Sequence, residues 1–129
     1  MSKLILAEDT LVKIADGTDK EISNIRTCDS IMSSDGQSIT VADIIKGKVN
    51  KICIMTTKNN RKLRFAEDST IECEGFSVYA NNSLSIDEIM TTSGVEKISE
   101  ITKEEYKGNV YSLRLNEDVF IIANEFVVK

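Results

Sequence analysis

The side chains available for chemistry in this sequence are carboxylates, hydroxyls and three thiols, because histidine is absent from all 129 residues. The carboxylates often come in adjacent pairs: Glu8-Asp9, Glu67-Asp68, Asp87-Glu88, Glu104-Glu105 and Glu117-Asp118. Two carboxyl groups can divide general acid and base work, or hold a hard cation, only if they converge on one point. Neighbouring strand residues face opposite sides, so no adjacent pair converges by itself. The missing imidazole excludes Ser-His-Asp and Cys-His catalysis, histidine metal sites and a histidine pH switch. Cys28, Cys53 and Cys73 are odd in number and widely spaced, which argues against a disulfide framework or a zinc site. They are expected as buried or half-buried thiols in a reducing compartment.

The elements that must position these groups belong to one domain, 1–129, with a single hydrophobic core. Hydrophobic residues are 41% and charged residues 29%, ordinary values for a globular chain. No window approaches the ~20 apolar residues of a membrane span, and the apolar stretch after Met1 is too short for a secretory signal. The net charge of −5 repels phosphate backbones, so general nucleic-acid binding is not expected. The small basic cluster Lys58-Asn59-Asn60-Arg61-Lys62 is read as a solvated hairpin tip. A cytoplasmic location follows, with neither membrane nor nucleic acid as partner.

Apolar and polar residues alternate in Leu11-Val12-Lys13-Ile14, Lys51-Ile52-Cys53-Ile54-Met55 and Val110-Tyr111-Ser112-Leu113-Arg114-Leu115, the period of half-buried strands. Val119-Phe120-Ile121-Ile122-Ala123 and Phe126-Val127-Val128 are continuous apolar runs suited to buried strands. Asp16-Gly17, Asp35-Gly36, Glu74-Gly75, Ser93-Gly94 and Gly108-Asn109 supply turns. Short helical turns are expected at Ile39–Lys46 and, more weakly, at 96–101. The fold class is all-β, a compact pseudo-two-fold fold. A shift of 58 positions lays Asp29–Gly36 on Asp87–Gly94, Asp16-Gly17 on Glu74-Gly75, and Ile52-Cys53-Ile54 on Val110-Tyr111-Ser112. Two similar β units, about 11–55 and 69–113, are therefore expected to close on each other.

Four segments carry a family resemblance. They are Ile5-Leu6-Ala7-Glu8-Asp9-Thr10-Leu11-Val12; Leu63–Ile71 followed by Glu74-Gly75; Val110-Tyr111-Ser112-Leu113; and Val119–Lys129. In this order the chain resembles the Hint family, the shared fold of hedgehog autoprocessing domains and inteins, from Ile5 to Lys129. The resemblance implies an opening cysteine or serine that attacks the preceding carbonyl, and Ile5 stands there. It implies a Thr-x-x-His that destabilises that peptide bond, and Ala66 and Ser69 occupy those positions. A later histidine falls on Val119. The closing histidine falls on Lys129, and the cyclising asparagine falls beyond the sequence. Asn124 matches a turn asparagine, but Glu125 follows in place of glycine. Every position that carries the family's chemistry is replaced, and Ile5 is expected to fill the emptied cleft.

If the family topology holds, Glu8, Asp9, Glu67 and Asp68 approach one another, read as a solvated acidic rim in preference to a weak Ca²⁺ or Mg²⁺ site. Glu104-Glu105-Tyr106-Lys107-Gly108 is read as an exposed loop, and Phe76, Val78 and Tyr79 as core more than as a partner patch. The resulting reading is a catalytically inactive Hint-like domain, no enzyme, that serves as a structural or protein-interaction module. Its partner is a protein or larger assembly reached through Glu67, Asp68, Glu104 and Glu105, without metal or cofactor. The alternatives are residual intein-like self-processing and a small acidic inhibitor or immunity-type protein.

Overall fold

In the computed structural model, which describes residues 4–73, 76–79 and 88–129 (with the side chains of 73 and 76–79 excepted), strands dominate. The pattern is clearest in Ser38–Lys48, where Ile39 and Val41 are buried while Ser38, Thr40 and Ala42 are exposed. That two-residue period, in a run rich in β-branched residues, makes a strand of the segment expected to be helical. The second expected helical turn, 96–101, lies inside strand Gly94–Glu105. The one helical element among the described residues is a 3₁₀ turn at Ile22–Asn24.

In chain order the strands are β1 (Leu6–Ala7), β2 (Leu11–Lys13), β3 (Asp19–Glu21), β4 (Ser30–Met32), β5 (Ser38–Lys48), β6 (Lys51–Thr57), β7 (Lys62–Ala66), β8 (Thr70–Cys73), β9 (Phe76–Tyr79), β10 (Glu88–Thr91), β11 (Gly94–Glu105), β12 (Asn109–Leu115), β13 (Ile121–Ala123) and β14 (Phe126–Val128). Twelve form one sheet in the order β3-β2-β13-β14-β10-β11-β6-β7-β1-β12-β5-β4, and β8 pairs with β9. Every pairing is antiparallel. The sheet curls around a core that includes Leu6, Ile31, Ile39, Met55, Phe65 and Phe126, all nearly inaccessible to solvent.

The long strands β5 and β11 each serve two partners. β5 pairs with β4 through Ser38–Thr40 and with β12 through Val41–Lys48. β11 pairs with β10 through Gly94–Lys97 and with β6 through Ile98–Glu105. Each carries a bulge where it changes partner, at Ala42 in β5 and at Ser99 in β11. A bulge bends a strand and sharpens its twist, which lets one strand leave one layer and enter the next. The 58-residue shift carries β6 onto the bounds of β12 and Gly36 onto Gly94, both glycines having φ near +90 to +105°. Its Glu74-Gly75 correspondence, and that of Asp87, fall outside the described residues.

One buried charge lies between the two long hairpins. Glu96 of β11 is only 5% exposed. It accepts hydrogen bonds from Thr57 Oγ1 (2.8 Å), Arg61 Nε (2.8 Å) and Thr91 Oγ1 (3.1 Å). Arg61 also donates from Nη2 to Ser93 Oγ at 2.7 Å. The hairpin tip expected to be merely solvated therefore anchors β6–β7 to β10–β11 through Arg61. The Arg61 hydrogen bond, helped by Thr57, holds the Glu96 carboxyl down to about 2, against an ordinary 4.5. A carboxyl depressed in the folded state adds stability above its unfolded pKa and loses it as pH falls toward the folded one. Thermal melts are therefore expected to show Glu96→Gln well below the parent at pH 7, with the gap narrowing as pH drops from about 4.5 to about 2. A gap that stays constant across that range overturns this account.

The β13–β14 hairpin keeps a two-residue turn although no glycine is present. Asn124 and Glu125 have φ of 48° and 72°, the pair of positive values that a type I′ turn requires. Asn124 tolerates this and is fixed by its side chain, whose Oδ1 accepts from Leu11 N (2.7 Å) and whose Nδ2 donates to Lys62 O (3.2 Å). Glu125 is held by the Thr92 hydroxyl, which donates to its carboxylate, and by Thr92 N–H on its carbonyl at 2.9 Å. Left-handed backbone costs a non-glycine residue about 1–2 kcal/mol. Glu125→Gly is thus expected to raise the urea midpoint of unfolding by about 1 kcal/mol of stability. A lowered midpoint would show that the Thr92 contact outweighs the relief.

Candidate functional site

The turn Ala66–Ser69 follows β7, and it takes hold of Ile5 by both backbone groups. Ser69 N–H closes the turn on Ala66 O at 3.0 Å, and Ala66 N–H donates to Ile5 O at 3.0 Å. Ser69 Oγ accepts the Ile5 N–H at 2.9 Å. Ala66 and Ser69 are both fully buried. Three residues further on, Glu72 forms a reciprocal backbone pair with Lys129, with N···O distances of 2.8 and 3.1 Å. At ~3.3 Å per extended residue, the contact points of Ile5 and Lys129 lie about 10 Å apart along this segment.

Leu4 and Leu6 line an open groove of about 660 Å³ together with Glu72, Ser112–Ile121 (save Phe120) and Lys129. Ile5 lies between them in extended chain and packs elsewhere, against the small buried cluster of Ala7, Ile52 and Val110. Ile5 itself is half-buried and is not among the residues that line this groove. Val119 is half-buried on the groove wall. Lys129 closes one end, with its ammonium 3.0 Å from Asp118, 3.6 Å from Glu72 and 5.0 Å above the Phe120 ring. The Asp118 hydrogen bond, with Glu72 assisting, raises the Lys129 pKa, so the amine stays cationic and is neither nucleophile nor base.

The structure separates the remaining candidates. Glu67 pairs with Lys103 at 3.4 Å, and Asp9 with Arg64 at 3.2 Å. Glu8 Oε1 accepts Asn109 N–H at 2.6 Å. Asp68 is exposed, and among the described residues no three metal-ligating side chains come together. Glu104 and Glu105 are exposed as expected, but they end β11 and do not form a loop. The segment after them is tightly fixed. The Tyr106 hydroxyl donates to Asn109 O (2.8 Å) and accepts Glu8 N–H (3.2 Å). A side chain at Gly108 would collide with Glu8 Oε1 and that hydroxyl. Cys28 is exposed, contrary to the buried or half-buried thiol expected, while Cys53 is buried and desolvation pushes its thiol up. The side chains of Cys73, Phe76, Val78 and Tyr79 lie outside the described residues.

The curled antiparallel sheet with both chain ends gathered at one groove has close counterparts of known structure. The gp41-1 intein matches with a TM-score of 0.80 at 22% identity, covering 98% of each chain. The chain has an intein-like fold. A bacterial intein-like domain from Clostridium thermocellum matches at 0.77 and 17% identity, over 99% of this chain and 98% of that one. A DnaB intein from Synechocystis sp. PCC 6803 matches at 0.74 and 17% identity, over 97% and 96%. No protein-family model and no curated protein sequence matches.

Within this intein-like fold, Ser69 has a position the sequence could place only by resemblance. Its oxygen accepts the Ile5 N–H at 2.9 Å, at the nitrogen of the Leu4–Ile5 peptide. Ser69→Ala leaves the Ile5 N–H without this acceptor in a buried setting, at a cost of about 1–3 kcal/mol. Urea unfolding is expected to show that loss, together with faster hydrogen exchange at the Ile5 amide. Unchanged exchange there would mean that the bond does not hold the junction.

Proposed function

We propose that this chain is a catalytically inactive intein-like domain that acts as a structural or protein-interaction module. The observation that carries the reading is the junction itself. Ile5 has no nucleophilic atom, and the nearest buried hydroxyl, Ser69, is engaged as acceptor of the Ile5 N–H at 2.9 Å. The sequence contains no histidine to serve as acid or base. Lys129 is cationic between Asp118 and Glu72. The fold thus keeps the two junctions together without a group to start an acyl shift. The recurrence of β6 as β12 at the 58-residue shift supports a build from two similar β units. On the binding side, the net charge of −5 and the exposed Asp68, Glu104 and Glu105, with Glu67 beside Lys103, favour a neutral or basic protein partner.

The test is intact mass of a fusion that carries folded domains before Met1 and after Lys129. A single uncleaved species is expected, unchanged by dithiothreitol or hydroxylamine. Cleavage at the Leu4–Ile5 bond or after Lys129 sinks the inactive reading. Ile5→Cys alone is expected to remain intact as well, because the group beside the leaving nitrogen is a serine hydroxyl, a poor general acid near neutral pH.

A further inference from the structure

We infer that the groove between β1 and the β12–β13 connection is a docking site for an extended, apolar peptide segment of another protein that carries a basic side chain. The inference rests on the reading of the domain as an inactive binding module and names the partner class for it. The groove's volume of about 660 Å³ is ample for a ligand. Its rim is open, with the Asp118 side chain 89% exposed. A small molecule in such a site would stay largely wet, whereas good small-molecule sites bury about 70–90% of the ligand. An extended chain suits it better, because the wall runs along Ser112–Leu115 of β12, about 10 Å of strand.

Chemistry sets the occupant's side chains. Leu4, Leu113, Leu115 and Val119, each only partly buried, offer apolar contact along the wall. Three carboxylates, Glu72, Glu117 and Asp118, line the same groove against two cations, Arg114 and Lys129. Lys129 sits between Glu72 and Asp118, while Glu117 is exposed and in no ion pair among the described residues. An arriving Lys or Arg therefore meets an unpaired carboxylate beside Asp118, whereas an acidic segment meets net repulsion within a chain of charge −5.

The test is selection of a phage-displayed library of random linear dodecapeptides on the whole protein. Binding of the enriched peptides is then measured on the parent, on Glu117→Lys/Asp118→Lys, and on Glu104→Lys/Glu105→Lys. Both variant pairs change exposed residues, and because Asp118 pairs with Lys129, thermal melts matching the parent are required of each variant before its binding is read. Apolar peptides with a Lys or Arg are expected to enrich, and to bind the Glu117/Asp118 variant about tenfold or more weakly. The Glu104/Glu105 variant is expected to bind as the parent does. Enrichment of acidic peptides, no enrichment above background, or binding indifferent to Glu117→Lys/Asp118→Lys overturns the groove assignment. Peptides lost instead on Glu104→Lys/Glu105→Lys overturn the groove but leave a binding module at β11. Self-cleavage of the flanked fusion overturns the inactive reading whatever the peptides do.

Discussion

In this chain the antiparallel sheet turns back on itself at two strands, β5 and β11, each of which belongs to two pairings. Each passes from a short hairpin partner to a long one at a single extra residue, Ala42 or Ser99. Without those bulges the backbone groups of β6 and β12 would lack continuous partners at the angle the core requires. The pairings that flank the groove follow. β12 pairs with β5 on one side and β1 on the other, and β1 sits against β7, whose end makes the turn that holds Ile5. The site is a consequence of where two long strands bend.

The groove and the junction are chemically distinct although they adjoin. The backbone N–H and carbonyl of Ile5 both have partners inside the protein, and its side chain packs on Ala7, Ile52 and Val110. Across the groove the surface is mixed, open and charged. Along this short stretch Leu4 is half-buried beside the groove, Leu6 belongs to the main core, and Ile5 packs on the smaller cluster. A replacement at position 5 or 6 acts on packing, and a replacement at 4 acts on the groove.

Much of this was legible in the residues. Alternation in Lys51–Met55 and Val110–Leu115 marks β6 and β12, and the closing apolar run contains β13 and β14. Ile39–Lys46 misleads because its isoleucines and valine fit either a short amphipathic helix or a bulged strand, and only pairing with β12 decides. Glu96 gives no signal at all. It stands between valine and lysine in a charged stretch, and its partner Arg61 is 35 residues away. The outcome at Ile5 is similar: its type is readable, but which face of the chain it takes depends on how β1 enters the sheet. Glu125 shows the reverse case, where a residue that disfavours the turn is held in it by neighbours invisible in sequence.

The reciprocal pair of Glu72 with Lys129, so near the grip of Ser69 on Ile5, has a mechanical consequence. A force pulling the two ends away from each other acts first on those few bonds along one short segment. They would break in succession, as a zipper opens, while the long ladders of β5 with β12 and β6 with β11 bear little load. Under tension within a longer polypeptide, the domain would yield at its mouth and lengthen there well before its body gave way.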